Sequence, residues 1–420
     1  MWLQLKRGGK NMRQLIGSRT KLVMGIGLMA LILTLVMPAY PRPQASAAEP
    51  VKIALLTSLS GVFTGWGTKV RDGMRFAVKE LEEKGGILGR RVIIVERDTK
   101  GDPGEGVSLF KGLVERDRVV AVGGIISSSV GLATAKEAEA LRVPLFLVMS
   151  GSHVILGKAS RFTFRTCLAA APMNIEAVAA LIKARGFKRI GALIADFAWG
   201  HSLKEAIEKM VVPMPGVTVR QEIAPLPEKD FTTYLRKLKG INPEIIIMGG
   251  HPAGAATATK QAVELGMDVS VAGTFTQPTE GWMKTLGDIA FGRIIDQTSV
   301  DPEHPEYRRL AEKFFDATGG LFDYNAFAGY VIVKMVADAM EKTGSDSPVV
   351  IAKKIREGRF VQPGYAYPLS YTEWGEMKEF APIIYTFKPG DPPGRIFPGS
   401  GWHTEIVFRS PPVKPYVPEK

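Results

Sequence analysis

A chain of 420 residues, 45% hydrophobic and 23% charged, is too long for one ordinary core and has the composition of a globular protein of two domains. The formal net charge of +12 overstates its basic character: Lys6, Arg7, Lys10, Arg13, Arg19, Lys21 and Arg42 all precede residue 49, no acid offsets them there, and +5 remains on the rest. A bias that small excludes a nucleic-acid footprint, and a lone cysteine, Cys167, excludes an intramolecular disulfide.

Residues 1–48 have the layout of an export signal. A basic stretch ends at Lys21, an apolar run covers Leu22 to Met37, and Ala45-Ser46-Ala47-Ala48 offers small residues for cleavage. Met12 is an alternative start, since the residues before it only lengthen the basic stretch. A retained membrane anchor is the competing reading, but the run contains Gly25 and Gly27 and stops at Pro38, which is short for a span. With no cysteine near the cleavage site, lipid attachment is not expected.

Residues 51–98 then read as strand, glycine-containing loop, helix, turn and strand. Val51 to Thr57 is an apolar run suited to a buried parallel strand. Val70, Met74, Ala77 and Leu81 recur at helical spacing, Gly85-Gly86 ends that helix, and Arg91 to Glu96 is the next strand. The rhythm continues with a helix over 105–117, strands over 118–123 and 143–149, a helix over 131–141 between them, and a short strand over 161–166. It restarts with a helix over 172–185, strands over 190–195, 217–222, 244–248 and 269–273, and helices over 202–210, 231–239 and 255–265. A strand over 293–298 and helices over 305–318, 325–342 and 348–357 follow. Beyond Arg359 come a possible hairpin around Gly375, a strand over 382–387 and a proline-rich tail over 391–420, expected to be mostly irregular. The class is α/β, two doubly wound, Rossmann-like lobes with helices on both faces of parallel sheets.

Signals for catalysis are thin. There is no P-loop, no G-x-G-x-x-G after a strand and no G-x-S-x-G elbow. The five histidines never take metal-ligand spacing, and Asp98, Asp196 and Asp296, each after an apolar strand, suit caps and loop anchors better than acid–base pairs. Neither metal nor cofactor is expected. What remains are binding-type loops at the carboxyl ends of strands, where ligands of such sheets sit. Ser127, Ser128 and Ser129 open a helix, where hydroxyls beside free N–H groups suit a carboxylate, although one serine could simply cap the helix. Ser150, Gly151 and Ser152 form a second such edge. Trp66 and Trp199, in strand-to-helix loops of opposite lobes, are either loop plugs or aromatic walls around an apolar ligand.

Several motifs in order resemble the solute-binding proteins of the branched-chain amino acid transporter family: LSG at 59–61, the glycines and Arg-Asp of 67–73, GGILGR at 85–90, RDTKGDP at 97–103, FRT at 164–166 and Gly249-Gly250. The resemblance runs from about Val51 to about Phe387. It implies a type I periplasmic-binding fold, two lobes on a three-stranded hinge that close on ligand. By position it puts Trp66 against the ligand, Ser127 on its carboxylate, and Ser150 to Ser152 beside it, with Trp199 and His251 opposite. One departure is informative. Amino-acid binders hold the ligand ammonium with carboxylates of the second lobe, and at one of those positions this chain has Phe275, flanked by Thr274 and Thr276. The other falls near Ala169 to Ala171. A buried ammonium without a carboxylate is costly, so an aromatic or aliphatic carboxylate, or an amide, is expected in place of a plain α-amino acid.

The expectation is therefore a monomeric, periplasmic substrate-binding protein of an ABC importer, working with membrane permease subunits. Residues 49–168 and 294–360 would form the first lobe, and residues 169–293 and 361–390 the second. A sensing subunit for a membrane receptor would use the same cleft with a different partner, and a Rossmann-like enzyme is the reading from another class.

Overall fold

The computed structural model describes residues 49–419 except 253 and 277; the leader expected over 1–48 lies outside them. Strand β1 (Val51–Thr57), helix α1 (Thr64–Glu82), β2 (Val92–Asp98), α2 (Pro103–Glu115), β3 (Ala121–Ile125), α3 (Ser128–Leu141), β4 (Leu145–Leu147) and β5 (Thr163–Arg165) build a parallel sheet of order β2-β1-β3-β4-β5. β1 and β3 are buried on both faces, which is why they read as continuous apolar runs. Asp102 caps α2 by accepting from the Glu105 amide at 2.7 Å, with Pro103 at its first position.

The second lobe repeats the pattern: α4 (Ala171–Arg185), β6 (Arg189–Ala195), α5 (Ala198–Met210), β7 (Thr218–Ala224), α6 (Thr232–Lys239), β8 (Ile245–Gly249), α7 (Gly254–Glu264), β9 (Ser270–Gly273), α8 (Thr279–Leu286) and β10 (Ile294–Thr298). The chain then returns to the first lobe as α9 (Pro305–Thr318), α10 (Tyr324–Thr343) and α11 (Pro348–Glu357). Helix α10 is buried along most of its length and lies against α1. Gly73 and Gly329 permit that approach: a Cβ on either would collide with the other helix's backbone, at Ala326 and Val70 respectively. The short ribbon of β11 (Arg359–Phe360) and β12 (Leu369–Ser370) precedes β13 (Ile383–Pro389) and β14 (Trp402–Arg409), which complete a seven-stranded sheet, β14-β13-β10-β9-β8-β6-β7. Its last two strands are antiparallel. From Pro50 onward the chain is one compact unit.

The structure adds to or departs from the sequence reading at four points. Residues 294–298 belong to the second sheet, where β10 pairs with β9 and β13, so the return to the first lobe begins only after Thr298. Residues 371–377 sit at the edge of the first lobe, because Gly375 accepts from the Arg165 amide on β5 and Tyr371 packs on Phe164. The tail is mostly irregular, as expected, but it holds one strand: β14 runs the length of β13, and its half-exposed edge pattern between glycine- and proline-rich turns hides it from sequence. Helix α8 is not anticipated from sequence, because Pro278 just before it and Gly281 in its first turn read as a turn.

The segments passing between lobes are packed together. The Tyr365 hydroxyl donates to the Thr166 carbonyl at 2.5 Å and that of Tyr367 to the Cys167 carbonyl at 2.9 Å, while Cys167 touches Ser299. Burial pushes the Cys167 thiol up to about 12, which leaves it an inert packing group.

Candidate functional site

The carboxyl ends of the parallel strands of both sheets face each other, and a narrow, nearly filled space lies between them, about 290 Å³ only when counted out to its open mouth. Phe63, Trp66, Ile126 and Met149 border it from the first lobe, Phe197, Trp199 and Phe275 from the second. Phe63 stacks on Trp66 with ring centroids 5.9 Å apart and meets Phe197 of the other lobe at the same distance. Phe275 adopts a left-handed backbone, φ 58°, held by a hydrogen bond from its amide to Asp296 at 3.1 Å. No charged side chain lines this space among the described residues. The indole N–H of Trp66 is buried there without a hydrogen-bond acceptor.

Three sequence-predicted residues, Trp66, Trp199 and Phe275, thus line the space. Both tryptophans lie in the first turns of α1 and α5 instead of in loops, because each helix starts earlier than its apolar periodicity suggests. Gly151 lies beneath the Trp199 ring; a Cβ there would strike the ring and come within 2.7 Å of Leu168. Glycine at 151 is what lets the indole lie against this loop.

The serines stand behind the aromatic wall and serve the loops that carry it. Ser150 donates to the carbonyl of Ser127 at 3.0 Å, Ser128 accepts from the Ser152 amide at 3.2 Å, and Ser152 meets Ser202 of α5 at 2.7 Å. Ser127 is the N-cap residue of α3 but makes no side-chain cap bond, and its neighbour Ile126 is the residue that reaches the space. Arg165, fully buried, fixes this loop. It pairs with Glu376 at 2.8 Å and donates to the carbonyls of Ser150 and Ser152.

His251 does not line the space, contrary to expectation. Its ring turns into the second lobe, edge-on to Phe231 at 5.1 Å, with the backbone of Ile194 and Leu226 as polar neighbours but no well-formed hydrogen bond. Burial pulls its pKa down to about 4, so it is neutral at physiological pH. Asp296 is an anchor as well: it accepts from Trp282 Nε1 at 2.9 Å and from the amides of Phe275 and Gln297. Thr274 and Thr276 border the space but turn their hydroxyls onto the Met248 carbonyl. Phe63 and Phe197 were not among the expected site residues; their position in the loops after β1 and β6, beside the two tryptophans, is the signal that could have found them.

Further ties cross between lobes at the rim. Lys69 of α1 pairs with Glu280 of α8, which also accepts from the Leu321 amide at 3.0 Å, and His153 stands 3.5 Å from Glu205. The lobes are therefore closed upon each other, with aromatic rings filling most of what a ligand would occupy.

The model of a periplasmic binding protein family matches residues 50–377. Among characterised relatives, the Leu/Ile/Val-binding protein BraC3 of Rhizobium johnstonii is 26% identical over 371 residues, covering 86% of this chain and 98% of that protein. The fold is similar to that of a leucine-binding protein LivK from Thermotoga maritima, with TM-score 0.74 and 22% identity over 86% of this chain and 98% of the other. It is equally similar to a solute-binding protein of an ABC transporter from R. palustris solved with benzoate, with TM-score 0.75 and 17% identity over 87% and 98% of the two chains.

Proposed function

The chain belongs to the periplasmic binding protein family, and from that premise we propose that it delivers a small aromatic or aliphatic carboxylate, or an amide, to the permease of an ABC importer. Membership makes it a binding protein and not an enzyme, and implies an extracytoplasmic location. Residues 1–48 would be the export signal, and the working form would be a monomer that closes on its solute at the three chain passages between lobes. Solute shifts the population toward closure because only the closed form touches it from both sides.

The observation that carries the solute class is the Trp66 indole N–H, unpaired within an aromatic enclosure that no acid lines. A carboxylate or amide oxygen would accept from it, and a flat or branched apolar body would replace the ring-to-ring contacts of Phe63 with Trp66 and Phe197. An α-ammonium would find no carboxylate partner and would lose several kcal/mol on burial. Benzoate, seen in a structural neighbour, has the required shape; leucine, bound by other relatives, carries the group this enclosure cannot hold.

Thermal stability measured with benzoate, 4-methylpentanoate, benzamide and leucine tests this. A ligand at about 100 times its Kd stabilises by about 2.7 kcal/mol, and the acids or the amide should do so while leucine does not. Equal stabilisation by leucine would overturn the reading. Trp66→Ala, which removes the unpaired N–H and one wall of the enclosure, should abolish the effect of whichever acid or amide binds.

A further inference from the structure

A second, larger cavity lies outside the cleft, and the cleft does not account for it. It extends to roughly 1080 Å³ counted out to its mouth, and it shares no lining residue with the interlobe space. One aromatic pair bridges them: Phe275 borders the cleft, Tyr324 borders the cavity, and their rings meet edge-on at 5.3 Å. Helices α9 and α10 give Tyr307, Asp323 and Tyr324 to its wall, and α8 gives Thr279. The opposite wall is the β13–β14 hairpin, beyond residue 377 where the family match ends. Trp402, Thr404 and Ile406 share one face of β14 and line it, with Tyr385 paired opposite Ile406 on β13. The loop joining the two strands is clamped to α9 by Arg395 on Asp316 and by Phe397 against Phe315.

Two buried polar atoms at this cavity lack partners. Asp323 caps α10 through one oxygen, which accepts from the amides of Asn325 and Ala326, and its Oδ2 is left without a hydrogen bond. The Tyr385 hydroxyl, with Thr279 as its polar neighbour, has no hydrogen bond of good geometry. Both side chains are almost fully buried, and an unmade bond at such a site is costly unless something completes it. Of the charged groups on its wall, Glu303, Glu405, Arg308 and His403 are partly or largely exposed, whereas Asp323 is buried, with Glu280 and Lys69 near it. A negative, acceptor-rich spot set among Tyr307, Tyr324, Tyr385 and Trp402 calls for a donor on an aromatic body.

We infer that this cavity is a second ligand site, taking a small aromatic solute that presents an ammonium or hydroxyl donor to Asp323. Its chemistry is the reverse of the cleft's, where the free protein group is a donor. The Phe275–Tyr324 pair joins the two walls, so a solute seated in the cavity bears on the back of the cleft wall.

Calorimetry and crystal soaks with phenethylamine, phenol and benzoate on the full mature chain test it. Phenethylamine binding identifies the ammonium form and phenol binding the hydroxyl form, each with density beside Asp323; benzoate should not enter the cavity. Asp323→Asn, which keeps a good helix cap, should weaken phenethylamine at least tenfold. Ile406→Trp or Thr404→Trp, which fill the cavity from β14, should abolish binding of either donor probe, while Trp199→Ala in the cleft should leave it unchanged. Two cavity-filling variants keep the test available if one fails to fold. The inference is overturned if neither donor probe binds in solution, if the density lies in the cleft, or if a folded cavity-filling variant binds as the parent does.

Discussion

The hydroxyls of Ser152 and Ser202 stand 2.7 Å apart and join the loop after β4 to helix α5 across the line between the lobes. Both side chains are buried, so the bond is shielded from water and holds one lobe against the other in this closed form. Removing both hydroxyls costs about 1 kcal/mol of closed-state stability, or about fivefold in Kd. Removing one orphans the other and costs more. Calorimetry with benzoate should therefore rank Ser202→Ala below the Ser152→Ala, Ser202→Ala double variant in affinity.

Gly151 and Trp199 form a steric pair. Gly151→Ala drives a methyl group into the indole, so it should displace that wall and reduce solute-induced stabilisation by roughly 1–3 kcal/mol, the range for overpacking a tight contact. Trp199→Phe, which trims the clashing ring, should restore part of the loss. A double-mutant cycle in thermal shift measures the coupling, and strict additivity would contradict the contact.

The Arg165–Glu376 pair is fully buried at 2.8 Å. Glu376→Ala leaves a guanidinium without its counter-ion and should lower unfolding free energy by roughly 3–5 kcal/mol in urea titrations. Replacing both residues by methionine should recover much of that stability. Solute affinity should stay low in the double variant, because Arg165 also holds the carbonyls of Ser150 and Ser152.

His251 gives the protein an acid-side weakness. Its pKa falls from the ordinary 6.5 to about 4 in the folded chain, so the unfolded chain binds the extra proton first as pH drops. Stability is whole above pH 6.5 and declines as pH falls from there toward 4, by roughly 3 kcal/mol for a shift of this size. His251→Phe should flatten that part of the urea-midpoint profile; an unchanged slope between pH 6.5 and 4 would show that other groups set it.

The sheets were legible because strands buried on both faces, such as β1, β3 and β8, leave unbroken apolar runs, and helices α9 and α11 announce themselves with Pro305 and Pro348 at their starts. The lobe that claims β10 was not legible, since a strand at a chain passage can pair with either sheet and only tertiary contacts decide. In the site, Trp66, Trp199 and Phe275 could be read because large rings just after strand ends have few other uses, whereas Phe63 and Phe197 beside them were not expected there. The serines could not be. Whether Ser150 faces a solute or the Ser127 carbonyl depends on a partner 23 residues away in sequence, and short hydroxyl side chains carry no periodic mark of their direction. His251 illustrates the same limit, because a histidine after a strand end can point toward the opening or back into its own lobe.

Trp66 and Trp199 come from opposite lobes and look into one small space, while Trp282 is locked to Asp296 far from solvent and Trp374 is tied to the Tyr416 carbonyl. Any solute that enters must touch two of these chromophores and leave the others in place. Intrinsic ultraviolet emission is thus a label-free gauge of occupancy already carried by the chain, with its own internal reference, and a change in colour or quantum yield on titration would report the event without any dye.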